Sequence, residues 1–284
     1  MKFKESNSTS QIGVEITDVD ISKPLSKDEL NSIYDLWVKN AVAIFPNQKL
    51  THDEYNDFAM QFGSFGDEPF LTPMKSQIHI VELRRKATEE ATHFGGSWHS
   101  DWSFQPSPPS ATMLHSKIVP PLGGDTLFSN SALAYDEMSN EMKDKIYNLN
   151  GIHSAKLPYA DNGFYALENK KRTMRIKSSK SANKQHLHPL VREHLNTQRK
   201  SLFINPVYTV GVEGMNDMEA FEFLSELFEH MTQDKYIYRH QWDKDMLIMW
   251  DNRSVMHMAE GGYDGYERLM HRITIAGETP IKSI

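Results

Sequence analysis

The chain has 284 residues, 39% hydrophobic and 11% aromatic, with a formal net charge of -7; it has enough length and apolar material to bury a sizeable core in one large domain. The acidic balance argues against nucleic acid or an anionic membrane surface as a partner. There is no cysteine, which excludes disulfides, thiolate zinc sites, iron–sulfur clusters and cysteine nucleophiles, so any metal must be held by histidine, carboxylate and water.

The first ten residues are polar and lack the apolar segment of a secretory signal, and no run approaches the roughly 20 apolar residues of a membrane span; a cytoplasmic location is the expectation. Ser26-x-x-Glu29 reads as a capping box, and Leu30, Ile33, Tyr34 and Trp37 then recur at helical spacing, which predicts a helix to about Asn40. Ala41 to Phe45 reads as a buried strand. A second box, Thr51-x-x-Glu54, opens a helix with Tyr55, Phe58, Ala59 and Phe62 on one face, and Gly63 stops it. A strand is predicted over Gln77 to Leu83. Lys86 to Gly96 reads as a mobile loop that can close over a ligand, jointed at Gly95-Gly96.

Trp98 to Phe104 is rich in aromatics and reads as a half-buried strand. Side chains at i and i+2 of a strand share a face, so His99 and Asp101 can bind one ion together. Alone, the pair also suits a surface histidine beside an unrelated acid. Strands are predicted at Ser110 to Ser116 and Asp125 to Phe128, on either side of the turn Pro120 to Gly124.

From about 130 to 232 helical patterns return, at Ala132 to Met138, at Met142 to Asn150, and in a longer helix that presents Phe221, Leu224, Phe228 and Met231. This stretch reads as a helical insertion between two halves of a barrel, and its basic run, Lys170 to Lys184, as a solvated loop. His186-x-His188 is a second spaced histidine pair, but it lacks an acid at i+2 and is read as structural. Tyr236 to Trp242, Met246 to Trp250 and Met270 to Ala276 complete the strands. The fold class is therefore α+β: an antiparallel barrel or jelly roll with flanking helices, one domain over residues 1–284.

Trp250-Asp251-Asn252-Arg253 turns out of an apolar strand, and His257 follows where a third ligand is needed. Two imidazoles and a carboxylate form the facial triad that holds non-haem Fe(II) and leaves positions open. Arg268 and Arg272 share one parity of the terminal strand, opposite His271. Buried guanidiniums are costly unless an anion meets them. That anion is either a dicarboxylate ligand or an internal acid such as Glu68 or Asp125.

The ordered set W-H-S-D at Trp98 to Asp101, G-G-D-T at Gly123 to Thr126, W-D-N-R-x-x-x-H at Trp250 to His257, Arg268, and M-H-R-I-T at Met270 to Thr274 resembles the TauD/TfdA family of Fe(II)- and 2-oxoglutarate-dependent dioxygenases. The resemblance covers nearly the whole chain and implies a double-stranded β-helix, or jelly-roll barrel, as the core. It implies that His99, Asp101 and His257 ligate Fe(II), that 2-oxoglutarate chelates the iron through its C1 carboxylate and keto oxygen, and that Thr126 and Arg268 hold its C5 carboxylate. The implied reaction consumes O2, hydroxylates a substrate C–H bond, and releases succinate and CO2.

Arg272 falls where the family meets an anionic substrate. Glu68, Leu71 and Gly95 fall where its taurine-binding members contact taurine through other residues, so these three are candidate substrate-binding positions and taurine is not the expected substrate. A small anionic metabolite is expected instead: a sulfonate, sulfate ester, carboxylate or zwitterion. The resemblance also implies a homodimer or homotetramer. The alternative is a metal-dependent hydrolase or lyase on the same barrel, with zinc in the triad and Arg268 on a substrate carboxylate.

Overall fold

Reciprocal capping boxes start the first two helices, α1 (Lys27–Asn40) and α2 (His52–Met60), in the computed structural model, which describes residues 1–168 and 170–282. The Ser26 hydroxyl accepts the Glu29 amide at 3.3 Å, and the Glu29 carboxylate accepts that of Ser26 at 3.0 Å. Losing such a cap costs about 1 kcal/mol. α1 ends where Ala41 turns left-handed at φ 58°.

The strands before and between them are β1 (Lys2–Glu5), β2 (Val14–Thr17) and β3 (Val42–Phe45), followed by β4 (Val81–Arg85), β5 (Ala111–Ile118) and β6 (Thr126–Asn130). The middle of the chain holds α3 (Ser131–Asp136), α4 (Asn140–Ile146), β7 (Asn150–Ser154), α5 (Lys156–Tyr159), α6 (Phe164–Leu167), β8 (Gln185–Pro189), β9 (Val191–Glu193), β10 (Lys200–Leu202), β11 (Thr209–Val212) and α7 (Asp217–Met231). The end returns to strands: β12 (Ile237–His240), β13 (Leu247–Asp251), β14 (Val255–Ala259) and β15 (Arg268–Ile275).

Seven strands form one sheet in the order β1-β2-β3-β13-β5-β15-β4, antiparallel except for the β2–β3 pair. Its central strands are buried on both faces, and alternation divides their side chains between two layers. Ala43, Phe45, Leu247 and Met249 pack with Ile33 and Trp37 of α1 and Tyr55 and Phe58 of α2. Val42, Ile44, Ile248 and Trp250 point the other way, onto Phe128 and Val255 of a second sheet ordered β12-β6-β14. Each buried Phe or Ile in these layers contributes roughly 1.5–3 kcal/mol. Among the described residues no helix is long and apolar enough to cross a membrane.

Three expectations change. The stretch read as a helical insertion also carries five strands, β7 to β11, too short and too polar on their open faces to show an alternating pattern. Within it, α7 buries Ala220, Phe223, Leu224, Leu227 and Met231, while Phe221 is 69% exposed, so the apolar stripe is rotated from the one expected. Residues 98–104 form no strand. His99 makes a single antiparallel bridge to His257, and the chain then turns at Asp101, with Trp102 at φ 47°.

Candidate active site

The His99–His257 bridge brings the two distant segments together. The His99 amide donates to the His257 carbonyl at 3.0 Å, and the His257 amide returns the bond at 2.7 Å. The side chains of both residues and of Asp101 then offer one donor atom each, all within 4.8 Å of one another and all buried. Nε2 of His99 lies 3.6 Å from Oδ1 of Asp101, and Nε2 of His257 lies 3.8 Å from Oδ2. His99 Nδ1–H donates to the Ser97 carbonyl at 2.7 Å, which fixes the tautomer that leaves Nε2 with a lone pair facing the acid. Burial, with His99 adjacent, pushes the His257 imidazole down to about 3, and burial also lowers His99 against the pull of Asp101. Both are therefore neutral at pH 7, the state a metal requires.

Asp101 is held from behind. Thr112 donates to its Oδ2 at 2.6 Å, Asn252 donates to the Thr112 hydroxyl at 2.9 Å, and the Trp250 indole donates to Asn252 Oδ1 at 3.0 Å. Asn252 Oδ1 also accepts the Asp101 amide at 3.3 Å. Burial alone would raise this carboxyl, but Arg272, the two imidazoles and Thr112 outweigh it and hold Asp101 well below the usual carboxylate range. Sequence reasoning missed Thr112 and Asn252. Asn252 lies inside the W-D-N-R turn, but nothing local marks Thr112 as its partner.

A cavity of ≈ 50 Å³ opens beside the cluster, lined by His99, His257, Gly95, Thr126, Arg268 and Arg272 among others. Five arginines border it. Arg84 pairs with Glu267 at 2.6 Å, Arg85 with Asp264 at 2.9 Å and Arg172 with Glu168 at 2.8 Å. Arg272 donates from Nη1 to Asp101 at 2.9 Å and from Nε to Glu68 at 3.0 Å. Arg268 alone has no carboxylate partner among the described residues. Its one hydrogen bond reaches the Gly124 carbonyl at 3.4 Å, and its buried Nε has no partner. Burial lowers its pKa, as expected of a cation without a counter-ion. Next to it, Thr126 Oγ accepts the Trp242 indole N–H at 3.0 Å, so its own proton remains to be donated.

The proposed substrate positions separate. Gly95, at φ 75°, borders the cavity with its missing side chain toward His99, whose Cε1 would lie 3.6 Å from a Cβ there. Glu68 reaches the site through Arg272, and its second oxygen accepts the Trp102 indole at 2.9 Å. Burial raises the Glu68 carboxyl and Arg272 opposes that rise; both oxygens accept N–H donors, the pattern of a carboxylate. Leu71 is a correction: it is 1% exposed, bridges Ile176 and packs in the aromatic core with Phe70 and Trp102, lining neither this cavity nor its neighbour.

The loop over residues 86–96, expected to be mobile, is bolted down. Arg172 donates to the Thr92 carbonyl at 2.6 Å, Glu168 accepts the Thr92 amide at 2.8 Å, and Glu89 accepts the Thr173 amide at 2.8 Å. His188 of the second histidine pair is buried against the Gln105 carbonyl at 2.9 Å, with His153 as its ring neighbour at 5.1 Å.

The family model described as "Taurine catabolism dioxygenase TauD, TfdA family" matches residues 4–274. An alpha-ketoglutarate-dependent 2,4-dichlorophenoxyacetate dioxygenase of Cupriavidus pinatubonensis is 34% identical over 257 residues, 85% of this chain and 86% of the relative. An alpha-ketoglutarate-dependent sulfonate dioxygenase of Saccharomyces cerevisiae is 29% identical across 100% of this chain and 69% of its own length. Among solved structures, a taurine dioxygenase from Burkholderia xenovorans superposes with a TM-score of 0.80 at 26% identity, covering 99% of this chain and 91% of that one.

Proposed function

The chain belongs to the TauD, TfdA family, an oxidoreductase family of alpha-ketoglutarate-dependent dioxygenases, and we propose that it uses Fe(II), 2-oxoglutarate and O2 to hydroxylate a small organic molecule, releasing succinate and CO2. The observation that carries this reading is a buried His, His, Asp donor set whose two imidazoles line the same cavity as Arg268, a buried guanidinium without a carboxylate partner among the described residues. The donor set suits a divalent ion with open positions. The guanidinium suits the far carboxylate of a dicarboxylic cosubstrate.

His99, Asp101 and His257 would hold the metal, and Arg268 and Thr126 the C5 carboxylate of 2-oxoglutarate. When bound, the iron and its cosubstrate supply the chemistry: oxidative decarboxylation of 2-oxoglutarate places one oxygen atom of O2 in succinate and the other in the substrate C–H bond. The chain's residues orient and shield. Ser97 fixes the His99 tautomer, the Thr112–Asn252–Trp250 relay fixes the Asp101 carboxylate, and Trp250 and Phe128, with ring centroids 4.6 and 6.2 Å from that of His257, keep water from its back face. We read the seven-stranded sheet and the β12-β6-β14 sheet as the faces of a double-stranded β-helix within one domain, a reading supported by their shared core.

Anaerobic titration of the metal-free protein with Fe(II) and 2-oxoglutarate tests the site. A weak visible charge-transfer band is expected when both are present, and slow succinate release on admitting air. No band and no succinate would overturn the reading in favour of a zinc hydrolase or lyase on the same scaffold.

A further inference from the structure

The guanidinium expected to meet an anionic substrate is already neutralised inside the protein. Arg272 is buried, with a side chain 3% exposed, and is clamped between Asp101 and Glu68, whose side chains are 2% and 10% exposed. It lies over the Trp102 ring, 5.2 Å from the centroid, and that indole anchors the second oxygen of Glu68 at 2.9 Å. Without metal, one positive charge faces two negative ones; with Asp101 on the metal, Glu68 alone balances it. A carboxylate or sulfonate arriving at Arg272 would displace or abut Glu68 in a buried setting, where like charges are repelled strongly.

Among the described residues that line the two cavities, no other lysine or arginine substitutes for it. Arg84, Arg85 and Arg172 are paired with carboxylates, and Arg268 is the group assigned to the cosubstrate. A larger cavity of ≈ 320 Å³ also borders His99, walled by Phe94, Tyr159, Phe164, Tyr165 and Tyr208. No lysine, arginine, aspartate or glutamate lines it among the described residues. Arg272 lines the smaller cavity, which shares the wall residues Phe94, Gly95 and His99 with this larger one; its buried Nη2 still lacks a partner and can donate to a neutral oxygen without the pair being broken.

Resting on the dioxygenase reading above, we propose that the primary substrate is an uncharged molecule with an aromatic-sized apolar body and an acceptor oxygen, and that Glu68 sets this preference by neutralising Arg272. The charge-bearing substrates in the names of the two relatives above belong to those proteins. This chain carries the same guanidinium with its own counter-ion.

The test uses matched probes, phenoxyacetate and phenoxyacetamide, which share a ring and differ in charge. Calorimetric binding to the protein without iron, and succinate release by the Fe(II)-loaded enzyme, are measured for both. The amide is expected to be favoured by about tenfold or more in both, a difference equal to one unfavourable like-charge contact. Glu68→Gln, which retains an acceptor for Trp102, is expected to abolish the preference in the iron-free protein, where Asp101 still balances Arg272, and to shift it toward the acid in the Fe(II)-loaded enzyme. Preference of the wild-type protein for the acid overturns the proposal without any variant, as does binding of neither probe, or a Glu68→Gln ratio equal to that of wild type. If the charge-transfer band and substrate-free succinate release are also missing, the dioxygenase reading falls; if they are present, only the substrate inference does.

Discussion

At the residue scale, the site depends on keeping one carboxylate still while several donors compete for it. Asp101 Oδ2 is taken by Thr112, whose hydroxyl also receives Asn252. Thr112→Val keeps the shape but deletes that donor and orphans the Asn252 amide. Metal affinity is expected to fall by about 10–100-fold, and Thr112→Ser to restore it; calorimetric titration with Fe(II) or Mn(II) under argon reads both. Arg268 poses the opposite case, a buried charge without a counter-ion. Arg268→Met is expected to raise the 2-oxoglutarate KM by about 10–100-fold, the worth of charge-assisted hydrogen bonds. The ligand-free protein should be no less stable for it, because an uncompensated charge leaves the interior. A melting temperature lowered by several degrees would mean that Arg268 has an internal role instead. The three donors were legible as types and order in the sequence. Glu68 was one of the internal acids considered for the buried arginines, but the choice between it and a ligand for Arg272 was not legible, because the two residues lie 204 positions apart and no local pattern decides it.

At the scale of elements, the starts of the helices with reciprocal caps were legible because their signals are local: Ser26 with Glu29 and Thr51 with Glu54 open α1 and α2 as expected, although α2 ends at Met60, short of the Phe62–Gly63 stop. The segment 98–104 was misread because its aromatic content favours a strand, whereas tertiary packing of Trp102 against Phe70, Phe104 and Tyr159 bends it into a turn. β propensity reports fit to a half-buried surface rather than a backbone state. The 86–96 loop shows the same limit. Its glycines promise freedom, but Arg172, Glu168 and Glu89 tie it to the segment after α6. Arg172→Ala removes the central tie. Hydrogen exchange of the Thr92 amide and its neighbours is expected to quicken, while the global melting temperature shifts by no more than a few degrees, since the loop carries little of the apolar core. Unchanged protection in this loop would show that the remaining ties suffice.

The whole molecule buries more imidazole than its site requires, and this sets its response to acid. Burial, the largest cause in each case, lowers His115 and His188 to about 4 and His240 and His271 to about 3. All four are at most 5% exposed. Their composition was plain in the sequence, but which of 13 histidines would be enclosed depended on the two-sheet packing. Their unfolded value is about 6.5, so between about pH 6.5 and 4 the unfolded chain binds more protons than the folded one. Stability must therefore rise with pH across that window and fall on acidification, by at most about 1.4 kcal/mol per pH unit for each histidine. Asp251 continues the trend below it: Arg253 and His194 overcome its burial and depress its pKa, a contribution present above the unfolded carboxylate value and lost as pH drops through the folded one. Four imidazoles acting together can remove several kcal/mol over one pH unit, a large share of the 5–15 kcal/mol typical of a domain. Urea unfolding of the metal-free protein at constant ionic strength should show a midpoint that is high at pH 7.5, lower at pH 6 and much lower at pH 5. A midpoint flat across that range would mean that these histidines find protonated partners on unfolding or are hydrated in the fold.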